Sequence, residues 1–183
     1  MSWRRGPASL VIPLVLVGGL SACSEEKPSV PQGPEAMCWN AFDRSDLLPL
    51  LGEGKKVQVE ESIRSMEFVD ADCKVRVDGL FRFAAAADRS KVDVGLLYDF
   101  PREKPDRIAL GDEAVVWDKG AAVAFRCKRP SWTINVELTI HSWRPPSGST
   151  TPRAANTELI RKFFAFAQKK LACDPAPTTG AGS

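Results

Sequence analysis

Between residues 131 and 141 apolar and polar positions alternate without a break: Trp132, Ile134, Val136, Leu138 and Ile140 against Thr133, Asn135, Glu137, Thr139 and His141. Successive side chains on a strand point to opposite faces, so this period of two predicts a strand with one buried and one solvent-facing side. Just before it, Val123, Phe125 and Cys127 alternate with Ala122, Ala124 and Arg126. Asp118-Lys119-Gly120 predicts a hairpin turn back to a strand over 114–117. Upstream, Cys73, Val75 and Val77 share a face that Phe81 and Phe83 prolong past Gly79. Val92, Val94, Leu96, Tyr98 and Phe100 alternate in the same way, and a weaker strand falls within 57–69.

The period changes near the C-terminus. Leu159, Ile160, Phe163, Phe164, Ala167 and Leu171 recur at helical spacing. Thr151-Pro152 offers an N-cap followed by proline in the first turn, and Lys169 and Lys170 suit the negative C-terminal end of the helix dipole. A shorter helix is expected over 45–51, with Asp46 in its first turn and Gly52 after its end, despite Pro49 inside it. Helices at both ends of a run of amphipathic strands predict an α+β domain, an antiparallel sheet with one face covered.

The first residues break from this pattern. Arg4 and Arg5, the apolar run 10–17 and the small residues leading to Leu20-Ser21-Ala22-Cys23 form the three parts of a secretory signal over 1–22. The Arg-Arg pair followed by Gly6-Pro7-Ala8 leaves Sec and twin-arginine export both open. Residues 23–37 are rich in proline and charge and read as a flexible tether, residues 38–173 as one domain, and residues 174–183 as a disordered tail.

Four cysteines remain besides Cys23: Cys38, Cys73, Cys127 and Cys173. An even number in an exported domain implies disulfides, and four allow three pairings. The rival reading is a zinc site, which lacks any C-x-x-C spacing and has only His141 to draw on. Cys73 and Cys127 lie on apolar strand faces, whereas Cys38 and Cys173 flank the helices expected to cover them. This placement favours Cys38–Cys73 and Cys127–Cys173.

Charge and chemistry narrow the function mainly by exclusion. The chain has 25 basic and 23 acidic residues, and loss of Arg4 and Arg5 with the signal would balance them. A neutral exported protein carries no electrostatic footprint for nucleic acid. No G-x-S-x-G, H-E-x-x-H or glycine-rich phosphate loop is present. His141 falls on the polar side of a clean strand. Asp112 and Glu113 are strand neighbours pointing to opposite faces, and Asp70 and Asp72 read as surface residues ahead of a strand. Neither catalytic residues nor a metal or cofactor site are expected. Trp143-Arg144, where the chain leaves the long strand, has the composition of a binding hot spot.

Several motifs carry a resemblance. Leu20-Ser21-Ala22-Cys23 resembles the lipobox of bacterial lipoproteins, in which the cysteine thiol receives a diacylglyceryl group. Cys38 with Leu50-Leu51-Gly52, the segment Gly111-Asp112-Glu113-Ala114-Val115-Val116 and the amphipathic stretch 156–173 resemble actinobacterial lipoproteins with a domain of unknown function. That resemblance implies a PsbP-like sandwich on the outer face of the membrane. The chain is more loosely similar to the extracellular sensor domain of a mycobacterial serine/threonine kinase. The expected role is a lipid-anchored, non-enzymatic binding or accessory module, with an unidentified envelope protein or small ligand as partner. The alternatives are a carboxylate-based glycan hydrolase and a purely structural or assembly role.

Overall fold

The computed structural model describes residues 30–65, 68–89, 104–143 and 151–174. The strand expected over 92–100 lies outside these residues. Those described form nine strands and two helices: β1 (Ala36–Met37), β2 (Phe42–Asp43), α1 (Arg44–Leu51), β3 (Val57–Ile63), β4 (Ala71–Val77), β5 (Leu80–Arg89), β6 (Asp106–Arg107), β7 (Glu113–Trp117), β8 (Gly120–Arg129), β9 (Trp132–Ser142) and α2 (Pro152–Leu171). β1 and β2 make a small ribbon. The other strands form one sheet in the order β3-β4-β5-β9-β8-β7-β6, with every neighbouring pair antiparallel. The α+β class read from the pattern is therefore the architecture.

One face of the sheet is the main core. Cys73, Val75 and Val77 of β4, Val123, Phe125 and Cys127 of β8, and Val136, Leu138 and Ile140 of β9 are all buried there. α2 covers β7, β8 and β9 with Leu159, Ile160, Phe163, Ala167 and Leu171, and Phe164 meets Phe125 edge-on at 4.9 Å. Thr151 caps the helix by accepting from the Ala154 amide, as its sequence predicts. α1 survives Pro49 because Leu47, Leu50 and Leu51 are all buried. Burying three leucines stabilises by roughly 1.5–3 kcal/mol each, against about 3 kcal/mol for an interior proline.

Both disulfides take the pairing inferred from strand faces, Cys38–Cys73 with Cα atoms 5.4 Å apart and Cys127–Cys173 at 5.0 Å. The first holds an unusual element. Cys38, Trp39 and Asn40 have φ of 53°, 61° and 68°, a left-handed turn closed by the Ala41 amide on the Cys38 carbonyl. Left-handed backbone costs roughly 1–2 kcal/mol per non-glycine residue. The disulfide, the Trp39 amide bond to Glu61 Oε1 and the edge-on packing of Trp39 on Phe68 offset it.

Two expectations change. Cys73 to Phe83 is not one continuous strand, because the chain reverses at Asp78-Gly79, both at positive φ, into a two-residue hairpin. A β-bulge then shifts the register so that Val75 faces Phe83 while Arg76 faces Phe81. Phe83 is buried in the core as expected, but Phe81 turns to the opposite face and is 37% exposed. An extra residue in one strand re-aims the side chains beyond it. Upstream, Gln32 forms a parallel bridge with Lys56, and Ala36–Met37 pairs with β2, so residues composition assigns to the tether are bonded to the domain.

Candidate functional site

The bulge gives the outer face of the sheet its most distinctive surface. At the end bearing the Asp78-Gly79 hairpin, the Arg76 guanidinium sits 3.3 Å from the centre of the Phe81 ring. Phe81 stacks on Trp143, ring centres 5.7 Å apart at 30°, and the Trp143 amide donates to the Arg82 carbonyl. Trp143 meets His141 at 6.4 Å, and His141 meets Trp117 at 5.6 Å. The last contact depends on Gly120, the register partner of both Trp117 and His141. A Cβ at position 120 would stand 2.9 Å from the Trp117 ring and 2.2 Å from the Ile140 carbonyl oxygen, so glycine lets the indole fold across the strand. One arginine and four rings thus run across the sheet from β4 to β7.

This strip grades from buried to exposed. Trp117 is buried with Val115 and Ala122 in a second small apolar cluster. The outer face is therefore not uniformly wet, as alternation alone predicts. His141 is half-buried between two tryptophans, and loss of solvation holds its pKa below the ordinary 6.5. Trp143 is 56% exposed, and Leu80, paired with Val77 at the turn, is 61% exposed. Arg144, the other half of the hot spot read from the sequence, lies outside the described residues. So does Cys23.

The charges at this end are mixed, with Asp78 and the exposed Asp118 among the basic groups. Lys55, Lys56 and Lys119 are exposed, and Arg76 is also paired with Glu60 at 3.3 Å. Arg82 Nε is buried without a hydrogen-bond partner among the described residues. Asp78 accepts the Lys55 and Lys56 backbone amides at 2.9 and 3.0 Å, which hold its carboxyl below the usual range.

Toward the far end of the same face two carboxylates meet. Register places Asp88 directly opposite Glu137. Partial burial raises both pKa values; the charges of Asp72 and Asp70 add to the effect at Asp88, and that of Asp88 at Glu137. Sequence reasoning missed this pair because it joins strands about fifty residues apart. Asp70 has a left-handed backbone, and Asp72 is bonded to Arg64. Asp112 bonds the Arg126 amide at 2.8 Å, and Glu113 pairs with Arg107 at 3.4 Å, so both serve structure locally. Among the described residues no group of three or more His, Cys, Asp or Glu could hold a metal ion, and no helix is long and apolar enough to cross a membrane. Comparison with protein families, with characterised proteins and with solved structures finds no match for this chain.

Proposed function

We propose that this protein is a lipid-anchored, non-enzymatic binding or accessory module on the extracytoplasmic face of a bacterial membrane. Its anchor would be Cys23 and its binding surface the Arg76–Phe81–Trp143 strip. The observation that carries the binding role is the exposed, stacked Trp143 backed by Phe81 and an arginine. Aromatic rings with arginine supply large, rigid contact area at low entropic cost and dominate binding hot spots. Two disulfides support the exported location, since such bonds persist in oxidising compartments. The finer description of the fold, a PsbP-like sandwich, belongs to the same proposal.

The test uses the full chain and isolated envelope fractions. In the Cys23→Ser background, which removes the lipid, Trp143→Ala and Phe81→Ala should abolish binding to the envelope surface while circular dichroism stays native. Binding unchanged in both variants would remove this surface from the function. Cys23→Ser should lose incorporation of labelled fatty acid, and continued labelling would end the anchoring claim. The hydrolase alternative has one observation in its favour, the facing Asp88 and Glu137 with raised proton affinity. Turnover of envelope glycan that disappears in Asp88→Asn and Glu137→Gln would establish it.

A further inference from the structure

Among the described residues, the large apolar side chains left exposed are Val30, Ile63, Leu80, Phe81 and Trp143. All but Ile63 gather at the hairpin end of the sheet. Leu80 and Phe81 open β5 directly after the Asp78-Gly79 turn, and Trp143 follows the end of β9 beside Arg82. Val30 joins them through the entering chain. The Gln32 amide donates to the Lys55 carbonyl at 3.0 Å, and its carbonyl accepts from Val57 at 2.8 Å. On the other side of that stretch, the Asp78 amide donates to Lys56 at 3.0 Å. Because Gln32 and Lys56 pair in parallel, Val30 lies beyond the start of β3, on the hairpin side.

The chain therefore enters the domain at the same end that carries its exposed rings and its lysines. Seven residue-to-residue steps separate Cys23 from Val30. Fully extended, they span at most about 25 Å. An anchor at Cys23 would hold this end, not the one carrying Asp88 and Glu137, against the lipid. The composition fits that location. Tryptophan settles at the boundary between headgroups and acyl chains, and lysine and arginine next to it attract anionic lipid. Lys55, Lys56 and Lys119 are exposed here, with Asp78 held by the Lys55 and Lys56 amides and Asp118 by Arg153, whereas Asp88 and Glu137 face each other at the opposite end.

We infer that the Leu80–Phe81–Trp143 end of the domain seats on the bilayer surface itself, with anionic headgroups as its ligand. The sheet then stands on the membrane with Asp88 and Glu137 pointing away. The inference rests on the proposed lipid at Cys23 for the approach, but the contact it describes is a separate observable.

The experiment uses the full chain purified from membranes and reconstituted into vesicles of phosphatidylcholine with phosphatidylglycerol, the latter brominated on its acyl chains. Intact mass reads whether Cys23 carries a diacylglyceryl group. Tryptophan quenching by bromine reads the contact. Quenching should be lost in Trp143→Ala, since Trp117 is buried and Trp39 and Trp132 are half-buried. It should also be lost in Leu80→Glu, which keeps all the tryptophans, and should weaken at high salt or without phosphatidylglycerol. A lipid-bearing protein whose emission is unquenched overturns the seating while leaving the anchor intact, and assigns the surface to an envelope protein or glycan. Quenching through Trp143 without lipid on Cys23 overturns the anchor and supports the seating. Quenching that persists in Trp143→Ala also overturns the seating.

Discussion

Each end of the sheet carries an arginine stacked on an aromatic ring, and the two differ in what lies beneath. At the far end Arg129 sits 4.6 Å from the centre of Trp132, which is half-buried against the main core. At the hairpin end Arg76 covers Phe81, and Phe81 supports Trp143 on the outer face. The first pair closes the edge of a core; the second leaves a ring facing outward. The same contrast runs through α2. Its last turn is tied to β8 by Cys127–Cys173. Its N-terminal turns are tied by polar contacts besides packing: Asn156 Nδ2 donates to the Trp117 and Asp118 carbonyls at 3.0 and 3.3 Å, and Arg153 pairs with Asp118 at 2.8 Å and with Asp106. The covalent clamp holds one end of α2 independently of packing, whereas the polar ties at the other end yield to single substitutions.

Breaking the clamp should have the largest effect. Cys127→Ser with Cys173→Ser opens a loop of 46 residues. The chain-entropy model gives about 4 kcal/mol for that loop. Urea unfolding should show that loss, and a change below about 1 kcal/mol would mean that packing alone holds α2. Asn156→Ala comes next. It leaves two carbonyls at the hairpin end without their donor, one of them buried, at a cost of roughly 1–3 kcal/mol. Hydrogen exchange should quicken in the first turns of α2 and not in its last, and uniform quickening would dissolve the contrast between the two ends.

Smaller again is the effect of stripping the outer stack. Phe81→Ala should cost about 1 kcal/mol, the scale of one exposed aromatic pair. Phe83→Ala, two residues on and fully buried, should cost roughly 3–5 kcal/mol. Equal losses in thermal denaturation would show that the bulge does not turn Phe81 outward.

The smallest effect is in pH dependence, where the two ends have opposite signs. Asp88 and Glu137 are raised above their ordinary 3.8 and 4.5, so the folded state holds protons that the unfolded chain has released. Stability therefore falls as pH rises from those ordinary values through the raised ones. His141 is lowered from 6.5, so the unfolded chain takes up its proton first and stability falls as pH drops below 6.5. Asp88→Asn should raise the urea midpoint at neutral pH, and His141→Ala should flatten the decline on the acid side. A lower midpoint for Asp88→Asn at neutral pH would reverse the assigned sign.

Much of this architecture is legible in local spacing. β9 shows in the strict alternation of Trp132 to His141, because a strand has a period of two and its neighbours in sequence are its alternate faces. α2 shows in the spacing of Leu159 to Leu171 and in Thr151-Pro152, because a helix and its cap are built from residues four or fewer apart. The disulfide pairing follows from these two patterns, since inward cysteines on strands meet the ends of the helices that cover them. The candidate surface is a different matter. Trp143 stands out in the sequence, but the ring it stacks on comes from another strand. Phe81 reaches it only through a bulge, His141 reaches Trp117 only across Gly120, and Asp88 meets Glu137 only through the register of β5 on β9. The left-handed turn at Cys38–Asn40 is equally silent locally, because no glycine marks it and a distant cysteine and Phe68 hold it. Periodicity reports which way a side chain points relative to its neighbours in sequence. Which residues share a face across strands is decided by register, and register is settled only when the whole sheet packs under its helices.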